Sequence, residues 1–183
     1  MELLPSAGRC ADAAQALAEQ IRQAAAKADV IFTTGGVSAG DRDILHETLP
    51  LLGAERVFRS VRVKPGTPLM FSYYRGVPVL SLSGNPFAAC ATFELFGRQL
   101  LAALSGTDDL LPQQLPAILA SDFPKSSKGR RFVRGFFRDG AVTLPEGHSS
   151  GQLASAAKTN CLVDIPAGSD PLRAGETVKV HLL

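Results

Sequence analysis

The hydrophobic periodicity of this chain changes character once, at Ser105-Gly106-Thr107-Asp108-Asp109. Before that point helical and strand spacings alternate, which predicts an α/β layer fold. After it, short alternating segments punctuated by Gly and Pro predict a small β-sandwich or barrel. We therefore expect two domains, residues 1–107 and 108–183, in a chain of 183 residues that can bury two modest cores.

In the first part, Asp12 is placed to cap a helix running to about Lys27, with Leu17, Ile21 and Ala24 or Ala25 on one face. Asp29 to Thr34 is short and apolar, a strand of the kind buried on both faces of a parallel sheet. A second helix is predicted from about Asp43 to Leu52 with Gly53 closing it. Val57 to Lys64 reads as extended, and Leu69–Tyr74 and Val77–Leu82 read as a hairpin around Arg75-Gly76. Phe87 to Leu104 forms a third helix, apolar almost all round and so buried or covered. Strands are then predicted at Leu115–Ser121, Arg131–Arg138, Ala141–Leu144, Cys161–Ile165 and Thr177–Leu183.

Composition removes several function classes. Hydrophobic residues are 45% and charged residues 20%, too apolar for a disordered chain. No run of 18 apolar residues is present and the start lacks a basic, then apolar, leader, so the expected location is the cytoplasm, with no membrane partner. Cys10, Cys90 and Cys161 are isolated and read as reduced packing residues, and His46, His148 and His181 have no zinc-ligand spacing. Residues 1–107 carry 10 Lys+Arg against 9 Asp+Glu and residues 108–183 carry 9 against 8, which argues against a nucleic-acid partner.

Three turns carry the polar chemistry. In Thr33-Thr34-Gly35-Gly36-Val37-Ser38-Ala39-Gly40-Asp41-Arg42-Asp43, glycines, hydroxyls and acids converge where a buried strand ends, the place where open α/β sheets bind ligands. Gly35, Gly36 and the free amides can approach an anion, and Asp41 and Asp43 can hold Mg²⁺ against a phosphate. Ser38 as a plain cap with two acids on the helix dipole is the alternative. In Ser83-Gly84-Asn85-Pro86, a Gly turn again joins strand to helix, and a cap with Pro at the first helical position accounts for it equally well. In Lys64-Pro65-Gly66-Thr67-Pro68, Lys64 is either a point charge for an oxyanion or a solvated strand-end lysine. The basic segment Lys125 to Arg138 interleaves Phe132, Phe136 and Phe137 but splits them between faces, so a packed strand with snorkelling arginines is favoured over a nucleic-acid surface. Gly147-His148-Ser149-Ser150-Gly151 reads as a polar surface loop.

Taken together, the motifs resemble the molybdopterin molybdotransferase (MoeA) family, related to the E domain of gephyrin. The pattern G-G-V-S-x-G-[DE]-x-D is similar to Gly35–Asp43, K-P-G-x-P to Lys64–Pro68, and G-N-P to Gly84–Pro86. Downstream, Gly129–Gly135 and Ala174–Val180 are similar to the family's later strand patterns. The resemblance implies a three-layer α/β molybdopterin-binding domain, entered after its first strand and helix, followed by an all-β barrel-like domain. The family's two N-terminal domains lie outside the sequence.

The resemblance further implies that adenylylated molybdopterin and molybdate are substrates, with Mg²⁺-assisted AMP release and a homodimeric assembly. It also implies contact with the adenylyltransferase that supplies the substrate. By motif, Asp43 would serve Mg²⁺ and the adenylate phosphate with Asp41 assisting. Lys64 would bind an oxyanion. Asp12, Gly35, Gly36, Ser38, Gly40, Ser83, Gly84, Asn85 and Pro86 would line the ligand side. Thr67 stands where the family often has a second lysine, and Ser83 where it commonly has proline. A molybdopterin adenylyltransferase and a non-catalytic pterin-binding or scaffold module are the competing readings.

Overall fold

The computed structural model describes residues 8–11, 13–37, 44–145 and 159–183. The elements are α1 (Ala14–Ala25), β1 (Ile31–Thr34), α2 (Leu45–Leu52), β2 (Glu55–Phe58), β3 (Val63–Lys64), β4 (Met70–Tyr74), β5 (Val77–Leu82), α3 (Pro86–Ser105), β6 (Gln114–Leu119), β7 (Arg130–Arg138), β8 (Ala141–Thr143), β9 (Cys161–Ile165) and β10 (Thr177–Leu182). They belong to two compact units, Met1–Val61 with Pro68–Gly84, and Arg62–Thr67 with Asn85–Leu183. The chain therefore changes unit at 61/62, 67/68 and 84/85. In this grouping α3 and the Lys64 turn go with the β-rich unit.

The first unit is built on a four-stranded sheet in the order β1-β5-β4-β2. β1 runs parallel to β5, and the hairpin β4–β5 and the pair β2–β4 are antiparallel. Arg75 and Gly76 take φ of 52° and 80°, the left-handed pair that a tight hairpin turn requires. Among the described residues β1 is an edge strand rather than one flanked on both sides. Ile21 and Ala18 of α1 pack with Ile31, Tyr74 and Val79, and Leu45 and Leu49 of α2 with Val37 and Met70. The cap position of α1 is Ala13, whose side chain has no oxygen to offer; Asp12, the expected cap, lies outside the described residues. Gly53 ends α2 in the left-handed conformation, as its position predicts.

The stretch Val57–Lys64 is not one strand. β2 belongs to the sheet of the first unit, whereas β3 pairs in parallel with β7 of the second, and Arg59 to Arg62 lie between them. The second unit is a barrel rather than a sandwich: β7-β8-β6-β10-β9 closes on itself through β7–β9. Strand alternation turns Val133, Val163, Val178 and Val180 inward onto Phe123 and Val142, and turns Phe132 and Leu162 outward onto Ala91 and Leu95 of α3. Gly135 leaves no room for a side chain: an added Cβ would lie 2.7 Å from Val142 Cγ2. α3 has the length and composition to cross a bilayer; it carries the ion pair Glu94–Arg98 at 3.1 Å and packs Ala91 and Leu95 against Phe132 and Leu162.

The expectation of snorkelling arginines on β7 fails at Arg134, which is 2% exposed, while Phe136 is 46% exposed. The strand is covered at its middle and bare at its end. On the outer face, Arg130 donates to both oxygens of the buried Asp164, at 2.9 and 2.6 Å, and His181 Nε2 stands 3.7 Å from Asp164 Oδ2. Burial pushes the Cys161 thiol up to about 11, in keeping with an inert packing residue, whereas Cys90 is exposed and does not pack as expected.

Candidate functional site

In the first unit the geometry follows from the β1–β5 pairing. The strands are parallel and in register from Ile31↔Val79 to Thr34↔Leu82, so both end at the same level. Their turns consequently leave the sheet side by side. Gly35 N–H donates to Leu82 O at 3.0 Å, and a Cβ at Gly84 would lie 3.3 Å from Gly35 Cα. Gly35 and Gly36 have φ of 88° and 68°, a conformation that side chains disfavour. Two glycine turns in backbone contact at the carboxyl end of parallel strands make a site at which ligand can reach main chain.

A groove of about 540 Å³ borders the first of these turns, with Arg9, Leu17, Ile21, Phe32, Thr33 and Gly35 among its walls. The Thr33 hydroxyl on this wall is buried without a hydrogen-bond partner. Ser83 is half-buried and Gly84 exposed at the second turn. Ser38, Gly40, Asp41, Asp43 and Asp12 lie outside the described residues.

In the second unit, Asn85 Oδ1 accepts from Ala88 N–H at 3.0 Å and Pro86 takes the first helical position, so this turn does cap α3. Asn85→Ala is expected to lower stability by about 1 kcal/mol, read as a shift in the denaturant midpoint with unchanged slope. The Lys64 turn packs against the same helix: Gly66, at φ 95°, lies against Thr92 and Ala88. Thr67 Oγ1 donates to Val63 O at 2.7 Å, so the residue that stands in place of a lysine ties the turn together.

Lys64 is exposed, and its register partner on β7 is Arg131. Paired residues of neighbouring strands point to the same side, which sets two cations next to each other. Arg131 Nε is buried without a hydrogen-bond partner, and its guanidinium carbon is 5.9 Å from the Phe123 ring centre. Arg131 was not distinguishable from its basic neighbours in the sequence, because only the β3–β7 register singles it out. The expected residues thus gather in two places, Gly35, Gly36, Ser83 and Gly84 in one unit and Lys64, Asn85 and Pro86 in the other.

Among the described residues no group of three His, Cys, Asp or Glu side chains is arranged for a metal. Asp41 and Asp43, the residues expected to hold Mg²⁺, lie outside the described residues.

Adjacent glycine turns at the end of a parallel strand pair define a ligand-binding α/β domain, and comparison with known proteins says which. The chain belongs to the family described as probable molybdopterin binding domain, which matches residues 4–103. Residues 116–183 match the MoeA C-terminal region, domain IV, so the pairing of the two is that of MoeA proteins. A molybdopterin molybdenumtransferase of Staphylococcus aureus (strain COL) is 36% identical over 166 residues, 88% of this chain and 40% of that protein. One from Staphylococcus epidermidis is 32% identical over 168 residues, 90% of this chain and again 40% of the relative. The chain thus spans about two fifths of the length of these curated relatives.

Among solved structures, the molybdopterin biosynthesis MoeA protein of Pyrococcus horikoshii OT3 superposes with a TM-score of 0.70 at 27% identity, over 91% of this chain and 38% of the other. A molybdenum cofactor biosynthesis protein of Pyrococcus furiosus gives 0.73 at 25% identity, over 92% and 54%. The expected fold, a molybdopterin-binding α/β domain followed by a barrel, is the fold observed.

Proposed function

We propose that this chain carries the substrate-binding part of a molybdopterin molybdotransferase, which inserts molybdate into adenylylated molybdopterin as the phosphoanhydride is cleaved and AMP leaves. The observation that carries the reading is the backbone contact between the Gly35 and Gly84 turns, in a chain matched by both molybdopterin-binding and MoeA domain IV families. Gly35, Gly36, Ser38, Gly40, Ser83, Gly84, Asn85, Pro86 and Asp12 would face the pterin and its adenylate. Lys64, joined by Arg131, would hold the oxyanion, since a dianion leaving or entering needs fixed cations. Asp43 and Asp41 are our assignment for Mg²⁺. A homodimer, contact with the adenylyltransferase and a cytoplasmic location belong to the same proposal. The division of the sequence into 1–107 and 108–183 also remains a proposal, supported by family matches that end at 103 and resume at 116.

The test is AMP release from adenylylated molybdopterin by the purified chain with molybdate and Mg²⁺, compared with Lys64→Met and Asp43→Ala. Turnover above the protein-free control, reduced about 10² to 10³-fold in Lys64→Met, is the expected result. A folded chain that retains molybdopterin but releases no AMP supports the binding-module reading instead, a reading favoured by the two-fifths coverage. A folded chain that neither binds nor turns over defeats both.

A further inference from the structure

β7 carries a fully buried cation that the proposed function does not use. The Arg134 side chain is buried on the outer face of the barrel, with its guanidinium carbon 4.3 Å from the centre of the Phe87 ring. Burial lowers the pKa of this arginine from its ordinary value, so the folded protein holds the charge at a cost. Phe87 is the second residue of α3, and the start of a helix is the positive end of its dipole, which disfavours a nearby cation further. The aromatic face offsets part of this.

What the contact does is mechanical. Phe87 directly follows Asn85 and Pro86, and the next amide, Ala88 N–H, is the one held by Asn85 Oδ1. The strand that supplies Arg134 also fixes Lys64, through the register Lys64↔Arg131. We propose that Arg134 is a positioning residue that clamps Phe87 and thereby fixes the Asn85–Pro86 turn to the strand that orients Lys64. The part of this proposal that concerns ligand rests on reading that turn as the pterin-side loop.

Amide hydrogen exchange on the unliganded chain tests the clamp. Arg134→Met keeps length and removes the charge and plane. It is expected to speed exchange at Ala88 and Ala89 about tenfold or more, while the barrel amides of Val163 and Val180 keep their rates. Arg134→Lys, which keeps charge without the planar stack, is expected to fall between. If Arg134→Met does not fold, Phe87→Leu removes the other half of the contact and reads the same amides. Unchanged exchange at Ala88 and Ala89 in a folded variant overturns the proposal.

Molybdopterin binding, followed by pterin fluorescence, is the second readout. Arg134→Met and Phe87→Leu should each weaken it about tenfold, and the double variant by less than the product of the two, since the two changes share one contact. Equal affinity of wild type and Arg134→Met overturns the proposal even if exchange changes. If the wild type itself does not bind molybdopterin, the functional reading fails, and the exchange result alone decides whether Arg134 holds the turn.

Discussion

Gly66→Ala should unfold more of this protein's stability than any other one-methyl change in the Lys64 turn. The added Cβ would sit 2.1 Å from Thr92 Cγ2, and φ of 95° is a conformation that an alanine rarely adopts. Overpacking and left-handed strain each contribute 1–3 kcal/mol in general, so the expected loss is about 3 kcal/mol. For a chain of this size that is a fall in Tm of about 10 °C. The two causes separate in a second variant. Thr92 donates its hydroxyl to Ala88 O at 2.7 Å, and Thr92→Ser keeps that bond while removing the offending methyl. In the Gly66→Ala background it should restore part of the stability. No recovery would mean that the backbone strain, and not the packing of the turn on α3, sets the need for glycine.

The second large effect concerns Asp164. Burial alone raises its carboxyl pKa, but the two hydrogen bonds from Arg130 and the neighbouring His181 outweigh that and hold it well below the ordinary carboxylate range. A folded-state pKa below the unfolded value of about 3.9 stabilises the protein above that pH, and the stabilisation is lost as pH falls through the folded value. Unfolding free energy should therefore decline as the solution is taken from pH 5 toward pH 2. Asp164→Asn should flatten that decline. Removing one partner of a buried pair costs 3–5 kcal/mol, but Arg130 is 50% exposed and rehydrates, so about 2 kcal/mol at pH 7 is expected for Asp164→Ala. Denaturant titrations at pH 7 and pH 3 check both statements; an equal pH slope in wild type and Asp164→Asn would remove Asp164 from the acid response.

Local signals in the sequence were sufficient where the physics is local. Asn85 followed by Pro86 placed the start of α3, Gly53 placed the end of α2, and Arg75-Gly76 placed the hairpin, because caps and turns depend on neighbours a few residues away. What depended on pairing between distant segments was not legible. Val57 to Lys64 reads as one extended stretch, and nothing in its composition says that Glu55–Phe58 joins one sheet and Val63–Lys64 another. The same gap concealed Arg131 and Arg134 among six similar bases, since only the β3–β7 register and the cover of α3 distinguish them. The Gly35 and Gly84 turns were readable individually as strand-to-helix turns, and their backbone contact became evident only with the parallel β1–β5 register.

The triple passage of the chain between its compact units has a practical consequence for dissection. A single scission after Thr107 would strand Lys64 on one fragment and β7, the strand that aligns it, on the other. A scission at 84/85 separates them equally. No one cut yields two pieces that each retain all of their own residues, so the units are severable only by excising and rejoining the six-residue insert 62–67. Fragment swaps between relatives that ignore this short crossing would exchange the turn without its support.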